Sequence, residues 1–207
     1  MTKLKLCGLT RWEDISFAAE QGVDYLGLIL SSESKRQVSL SKAAEFVQKT
    51  RSTYPNAQMV AVITTENLDE IKLLLETVQP DYLQVHNDCD AQFFNAIPFE
   101  NKIKVFRMKS FLSVEVIESF RSEFYLFDTY SKSAKGGTGK LFNWNWVPSE
   151  VMPKSFMSGG LTPQKVTELI TVCHPYGVDL NSGCEHLPGI KDHHLIEEAV
   201  RTLKTPL

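Results

Sequence analysis

The chain has 207 residues, 43% hydrophobic and 23% charged, which is the balance of an ordinary globular protein with a sizeable core. Its net charge of -3 and pI near 6.0 argue against a nucleic-acid partner, which would require a basic stripe. No apolar run is long enough to span a bilayer and the start lacks the apolar core of a secretory signal, so a cytoplasmic protein with no membrane partner is expected.

In chain order, the alternation of Lys3 to Cys7 predicts a strand, turned by Gly8 and followed by a helix to Gln21. Thr10 and Glu13 have the spacing of a capping box for that helix, and Gly22 is its expected stop. Tyr25 to Leu30 is a nearly unbroken apolar run, as in a strand covered on both faces. A polar loop with Lys35 and Arg36 leads to a helix over 41–50. The phrase then recurs: strands at 59–63, 81–85, 103–106, 124–128, 154–157 and 177–180, with helices at 68–78, 91–96, 114–120, 163–172 and 192–203. A short helical piece near Trp146 fills the remaining gap, and Thr162 with Pro163 reads as a helix start.

Strands alternating with helices call for a parallel sheet, and eight such units closing on themselves make a single-domain (β/α)8 TIM barrel over 1–207. A doubly wound open sheet is the structural alternative. Active sites in the barrel architecture lie at the carboxyl ends of the strands, which here carry Cys7, Arg36, His86, Arg107, Asp128 and Asp179. Three glycine-bearing loops follow strands six, seven and eight: Gly136-Gly137-Thr138-Gly139, Ser158-Gly159-Gly160 and Asn181-Ser182-Gly183. Glycines let backbone N–H groups approach an anion, so three such loops at one quadrant of the rim point to a phosphorylated ligand. Cys7, Cys89, Cys173 and Cys184 contain no C-x-x-C pair, and the adjacent His193 and His194 diverge on a helix, so no metal site or disulfide framework is expected.

With those segments in hand, the chain resembles the phosphoribosylanthranilate isomerase family over nearly its whole length. The resemblance is carried by Lys5-Leu6-Cys7-Gly8-Leu9-Thr10, the run 22–27, Gln84-Val85-His86, Asp128 with Gly136 to Gly139, Ser158 to Leu161, the run 177–183 with Glu185, and the run 188–192. It implies a cofactor-free aldose–ketose isomerase of tryptophan biosynthesis, a small phosphoribosyl substrate, and a monomer or homodimer. It further implies Cys7 as general base and Asp128 as general acid, with Arg36 set against the anthranilate carboxylate and His86 and Asp179 lining the substrate. Gly137, Gly139, Gly159, Gly160, Ser182 and Gly183 would bind the phosphate. The chain departs from the family's pattern at Asn87, where a glycine is usual, and in the proline-free loop Ser31 to Arg36.

The chemistry of such a rearrangement demands an acid at the ribose ring oxygen and a base at the C2 hydrogen. Asp128 must then hold a proton near neutrality, which desolvation favours, while Cys7 must ionise, which a neighbouring cation or helix end favours. Two alternatives remain open: the histidine-pathway phosphoribosyl-formimino isomerase, whose aspartate stands where this chain has Cys7, and a phosphate-binding barrel without catalysis.

Overall fold

The computed structural model describes residues 1–130 and 141–204. Eight strands close into a parallel barrel in sequential order: β1 (Lys3–Leu6), β2 (Tyr25–Ile29), β3 (Gln58–Ile63), β4 (Tyr82–Val85), β5 (Lys102–Met108), β6 (Phe124–Thr129), β7 (Ser155–Met157) and β8 (Gly177–Leu180). The closing pair is β1 with β8, in the register Lys3↔Gly177 through Leu6↔Leu180. Around them run α1 (Trp12–Gln21), α2 (Leu40–Thr53), α3 (Leu68–Val78), α4 (Ala91–Ala96), α5 (Val114–Glu118), α6 (Pro163–Cys173) and α7 (His193–Lys204). A small antiparallel hairpin of β9 (Glu185–Leu187) and β10 (Ile190–Lys191) joins β8 to α7. No helix among the described residues is long and apolar enough to cross a membrane.

Side chains alternate across each strand, so one parity meets the helices and the other fills the barrel. Leu4, Leu6, Leu26, Leu28, Phe127, Val178 and Leu180 belong to the large apolar layer between strands and helices. Cys7, Val60, Val62, Ile103, Val105, Leu126 and Phe156 form a separate interior cluster. At its amino-terminal end the barrel is plugged by aromatics: Tyr25 packs edge-on against Phe156, Tyr176 stacks on Phe124, and the Tyr25 and Tyr176 hydroxyls share a 2.6 Å hydrogen bond. With the floor filled, the cleft lies at the opposite end, where the inward parity changes from apolar to polar.

One local expectation needs correction, and two that hold gain detail. Thr10 does not cap α1: its hydroxyl donates to the Gly189 carbonyl of the hairpin turn, and Arg11 stands at the cap position with no side-chain capping bond. The competing acceptor arrives from 179 residues away, which no local pattern signals. Thr162 likewise caps α6 without a side-chain bond, leaving Pro163 to preset the first turn. The sixth unit carries two 3₁₀ turns, Trp144–Trp146 and Ser149–Lys154, in place of an α-helix; Pro153 lies inside the second and cannot supply an α-helical N–H. Gly22, at φ +87°, ends α1 as expected.

Candidate active site

The strand ends gather around a cleft of about 270 Å³. Its lining includes Cys7, Arg36, His86, Arg107, Asp128, Asp179, Ser158, Gly159, Gly160 and Ser182, so most of the residues expected from sequence meet there. Gln84 and Asn181 line it too. Gly137 and Gly139 lie outside the described residues. Gly183 stands behind the cleft, where a Cβ would collide with the Leu161 carbonyl, so close packing of two loops demands a glycine there.

Asp128 sits near the end of β6 on the inward parity, one residue before its Thr129 neighbour, whose N–H donates to Oδ1 at 2.8 Å. Burial, followed by the nearby charge of Asp179, pushes its carboxyl up to about 6, against the opposing pull of Thr129, Lys5 and Arg107. The upward push expected from desolvation is therefore present. His86 Nε2 lies 3.6 Å from Asp128 Oδ2. Burial and then the Arg107 charge hold that imidazole down at about 4, so it is neutral at physiological pH and offers no cation to ionise the carboxyl. Arg107 is engaged elsewhere, its guanidinium paired with Asp88 in the loop after β4.

Cys7 follows β1 and is 4% exposed, with Gly27 of β2 pressed so closely beneath it that a Cβ would stand 2.9 Å from Sγ. Burial raises the thiol above its ordinary range; Lys5 and Lys191 oppose that and Asp179 adds to it. Two cations do stand close to Cys7, but they do not outweigh desolvation. Lys5 shares the inward parity of Cys7 and donates to Asp179 Oδ1 at 2.8 Å. Burial disfavours its charge, yet Asp179 and Cys7 together hold the ammonium above its usual pKa. Ser158 Oγ approaches Asp179 from β7's end at 3.4 Å.

Two of the glycines after β7 adopt left-handed backbone, Gly159 at φ +91° and Gly160 at +69°. At Gly159 a Cβ would collide with the side chain and backbone nitrogen of Thr129, so this loop is held tight against the strand that carries Asp128. Gln84 Oε1 is buried and has no hydrogen-bond partner among the described residues. A lone buried acceptor of this kind is costly unless a ligand supplies a donor. Reading the sequence motif by motif gave roles to neither Lys5 nor Gln84, although both sit two residues before a recognised site residue. Strand parity places them on the same inward face.

Fold and cleft define the class: a (β/α)8 barrel with its candidate site at the carboxyl mouth of the strands. Residues 4–202 match the model of the N-(5'-phosphoribosyl)anthranilate isomerase family, and the chain belongs to that family. The isomerase of Aquifex aeolicus is 39% identical, over 99% of this chain and 100% of its own length. The crystal structure of the Thermotoga maritima phosphoribosylanthranilate isomerase superposes with a TM-score of 0.83 at 29% identity, covering 99% of each chain. A solved complex of such an isomerase with reduced 1-(o-carboxyphenylamino)-1-deoxyribulose 5-phosphate gives 0.79 at 28% identity, again over 99% of each.

Proposed function

We propose that this protein converts N-(5'-phosphoribosyl)anthranilate into 1-(2-carboxyphenylamino)-1-deoxyribulose 5-phosphate in tryptophan biosynthesis, with Asp128 as acid and Cys7 as base. One observation carries the reading: a carboxyl raised to about 6 and a thiol flanked by two lysines open into the same cleft from strands three steps apart around the barrel. Protonated Asp128 delivers its proton to the ribose ring oxygen as the C1–O bond breaks and the anilino nitrogen's lone pair forms an iminium. Ionised Cys7 removes the C2 hydrogen, and that C–H electron pair becomes the C1=C2 bond of an enolamine while nitrogen recovers its lone pair. Tautomerisation of the enol to the C2 ketone returns a proton to C1, so the sum is an isomerisation needing no cofactor.

The substrate helps its own base. An iminium arriving near a thiol already flanked by Lys5 and Lys191 adds a further positive charge, which favours the thiolate. Gly159, Gly160 and Ser182 are assigned to the phosphate, with Gly137 and Gly139 proposed as its partners from the sequence pattern alone. Gly183 supports that site through its packing on Leu161. Arg36 is assigned to the anthranilate carboxylate, Gln84 Oε1 and Asp179 to ribose hydroxyls, and neutral His86 to the wall beside Asp128.

The test is direct. Adding purified protein to phosphoribosylanthranilate should quench the substrate's fluorescence with first-order decay at low substrate concentration and yield the ketose. Tight binding without decay would sink the reading in favour of a non-catalytic barrel, and turnover of only the phosphoribosyl-formimino substrate would transfer the protein to the histidine pathway.

A further inference from the structure

Arg36 follows β2 in a loop without proline, and such a loop does little by itself to aim a long flexible side chain. Yet its guanidinium is fixed. Nε donates to both oxygens of Glu185, at 2.8 and 3.0 Å, and Nη2 donates to Oε2 at 2.6 Å. Both side chains are largely out of solvent, at 13% and 4% exposure. Glu185 is itself fixed: its Oε1 also accepts from Lys191 Nζ and from the Gly189 N–H, each at 3.1 Å. The stem of Arg36 passes over Gly8, where a Cβ would stand 2.7 Å from Cδ. The arginine thus crosses from the loop after β2 to the hairpin after β8, over the loop that follows β1.

We infer that Glu185 is the positioning residue for substrate-carboxylate recognition: it occupies the Nε–Nη2 edge of Arg36 and turns the Nη1–Nη2 edge to the aromatic acid. A guanidinium has two edges that suit a carboxylate, and a bidentate acceptor on one leaves the other in a defined orientation. Charge is consistent with this division. Arg36 and Lys191 are two basic groups around one internal carboxylate, so a second carboxylate arriving from the cleft completes the balance. The hairpin after β8, which also sets Lys191 beside the proposed base, becomes the element that sets preference for an ortho-carboxylated amine. This rests on the assignment of Arg36 to the anthranilate carboxylate.

The experiment compares two substrates, phosphoribosylanthranilate and its carboxylate-free analogue made from ribose 5-phosphate and aniline. For Arg36→Met, kcat/KM should fall at least about tenfold more for the anthranilate substrate than for the aniline one, chiefly through KM. Glu185→Ala should reproduce that preference loss, Glu185→Gln should give an intermediate one, and Glu185→Ala added to Arg36→Met should change the preference no further. If Arg36→Met shifts the preference but neither Glu185 variant does, the positioning role is overturned and the Arg36 assignment stands. Equal losses on both substrates for the Glu185 variants would mark a merely structural carboxylate and also overturn it. If Arg36→Met leaves the preference unchanged, the carboxylate assignment itself is wrong and the inference falls with it. Should Glu185→Ala fail to fold, Glu185→Gln carries the same comparison.

Discussion

Lys5 Nζ meets Asp179 Oδ1 at 2.8 Å inside the barrel, between the two strands that close it. Both side chains are almost wholly withdrawn from water, at 0% and 5% exposure. Their register is direct, Lys5 opposite Asp179, and both lie within reach of the proposed acid and base.

Removing one member leaves a buried charge without its partner. Lys5→Met should therefore destabilise the protein by roughly 3–5 kcal/mol, and Lys5→Met combined with Asp179→Asn should recover most of that. Urea unfolding of the two variants and the wild type measures it. Because Lys5 lowers the pKa of both Asp128 and Cys7, its loss should also move both limbs of the pH profile to higher pH. A single-variant cost below about 1 kcal/mol would mean that the pair contributes little.

The free protein should react through a minority protonation state. Asp128 is raised to about 6 while Cys7 lies above the ordinary thiol range, so between those values the acid is mostly ionised and the base mostly protonated. The product of the two reactive fractions rises with pH, levels at about 6, and falls only once the thiol titrates. Measuring kcat/KM from pH 4 to 10 checks this. An ascending limb that levels near the usual carboxylate value would contradict the environment described for Asp128.

Asp128→Asn should remove activity and add stability. Between the ordinary carboxylate value of 3.8 and about 6, the native state holds a proton that the unfolded chain has released. Native stability therefore drops as pH rises through that window and stays lowered above it, by about 2–3 kcal/mol. The Asn variant escapes that penalty: its gain should be largest at pH 7 and vanish towards pH 4. Its kcat should fall at least ~100-fold, as should that of Cys7→Ser, with phosphate affinity largely retained. Near-wild-type turnover in either variant would remove that residue from its role.

The neighbouring glycines should respond differently to substitution. Gly159→Ala places a Cβ against Thr129 on left-handed backbone, so it should cost at least ~1 kcal/mol of stability and disturb Asp128 through the adjacent strand end. Gly160→Val is strained as well, at φ +69°, but it should in addition crowd the proposed phosphate site and raise KM. Thermal melts beside steady-state kinetics separate the two; a lower kcat with unchanged KM for Gly160→Val would argue against phosphate contact.

Much of this was legible in the chain because strands covered on both faces are continuous apolar runs with abrupt polar ends. The spans 68–78, 91–96 and 177–180 agree residue for residue with α3, α4 and β8. Cys7 and Asp128 could be placed at strand ends for the same reason. What stayed hidden is pairing across the barrel. Arg36 with Glu185, and Thr10 with Gly189, are 149 and 179 residues apart, and no local propensity records such partners. Nor does a residue's identity reveal whether desolvation or nearby cations prevail, and at Cys7 desolvation does. The loop Gly136 to Gly139, prominent as a motif, lies outside the described residues.

Closure between β1 and β8 also orders events in time. A nascent chain growing at about 5–20 residues per second exposes β1 on one edge for roughly ten to thirty seconds before its partner strand is synthesised. Until then Lys5 has no Asp179, and Cys7 has neither Lys191 nor its backbone acceptor at Leu180. The proposed acid–base pair is consequently incomplete in any partial chain that stops short of β8 and the hairpin after it.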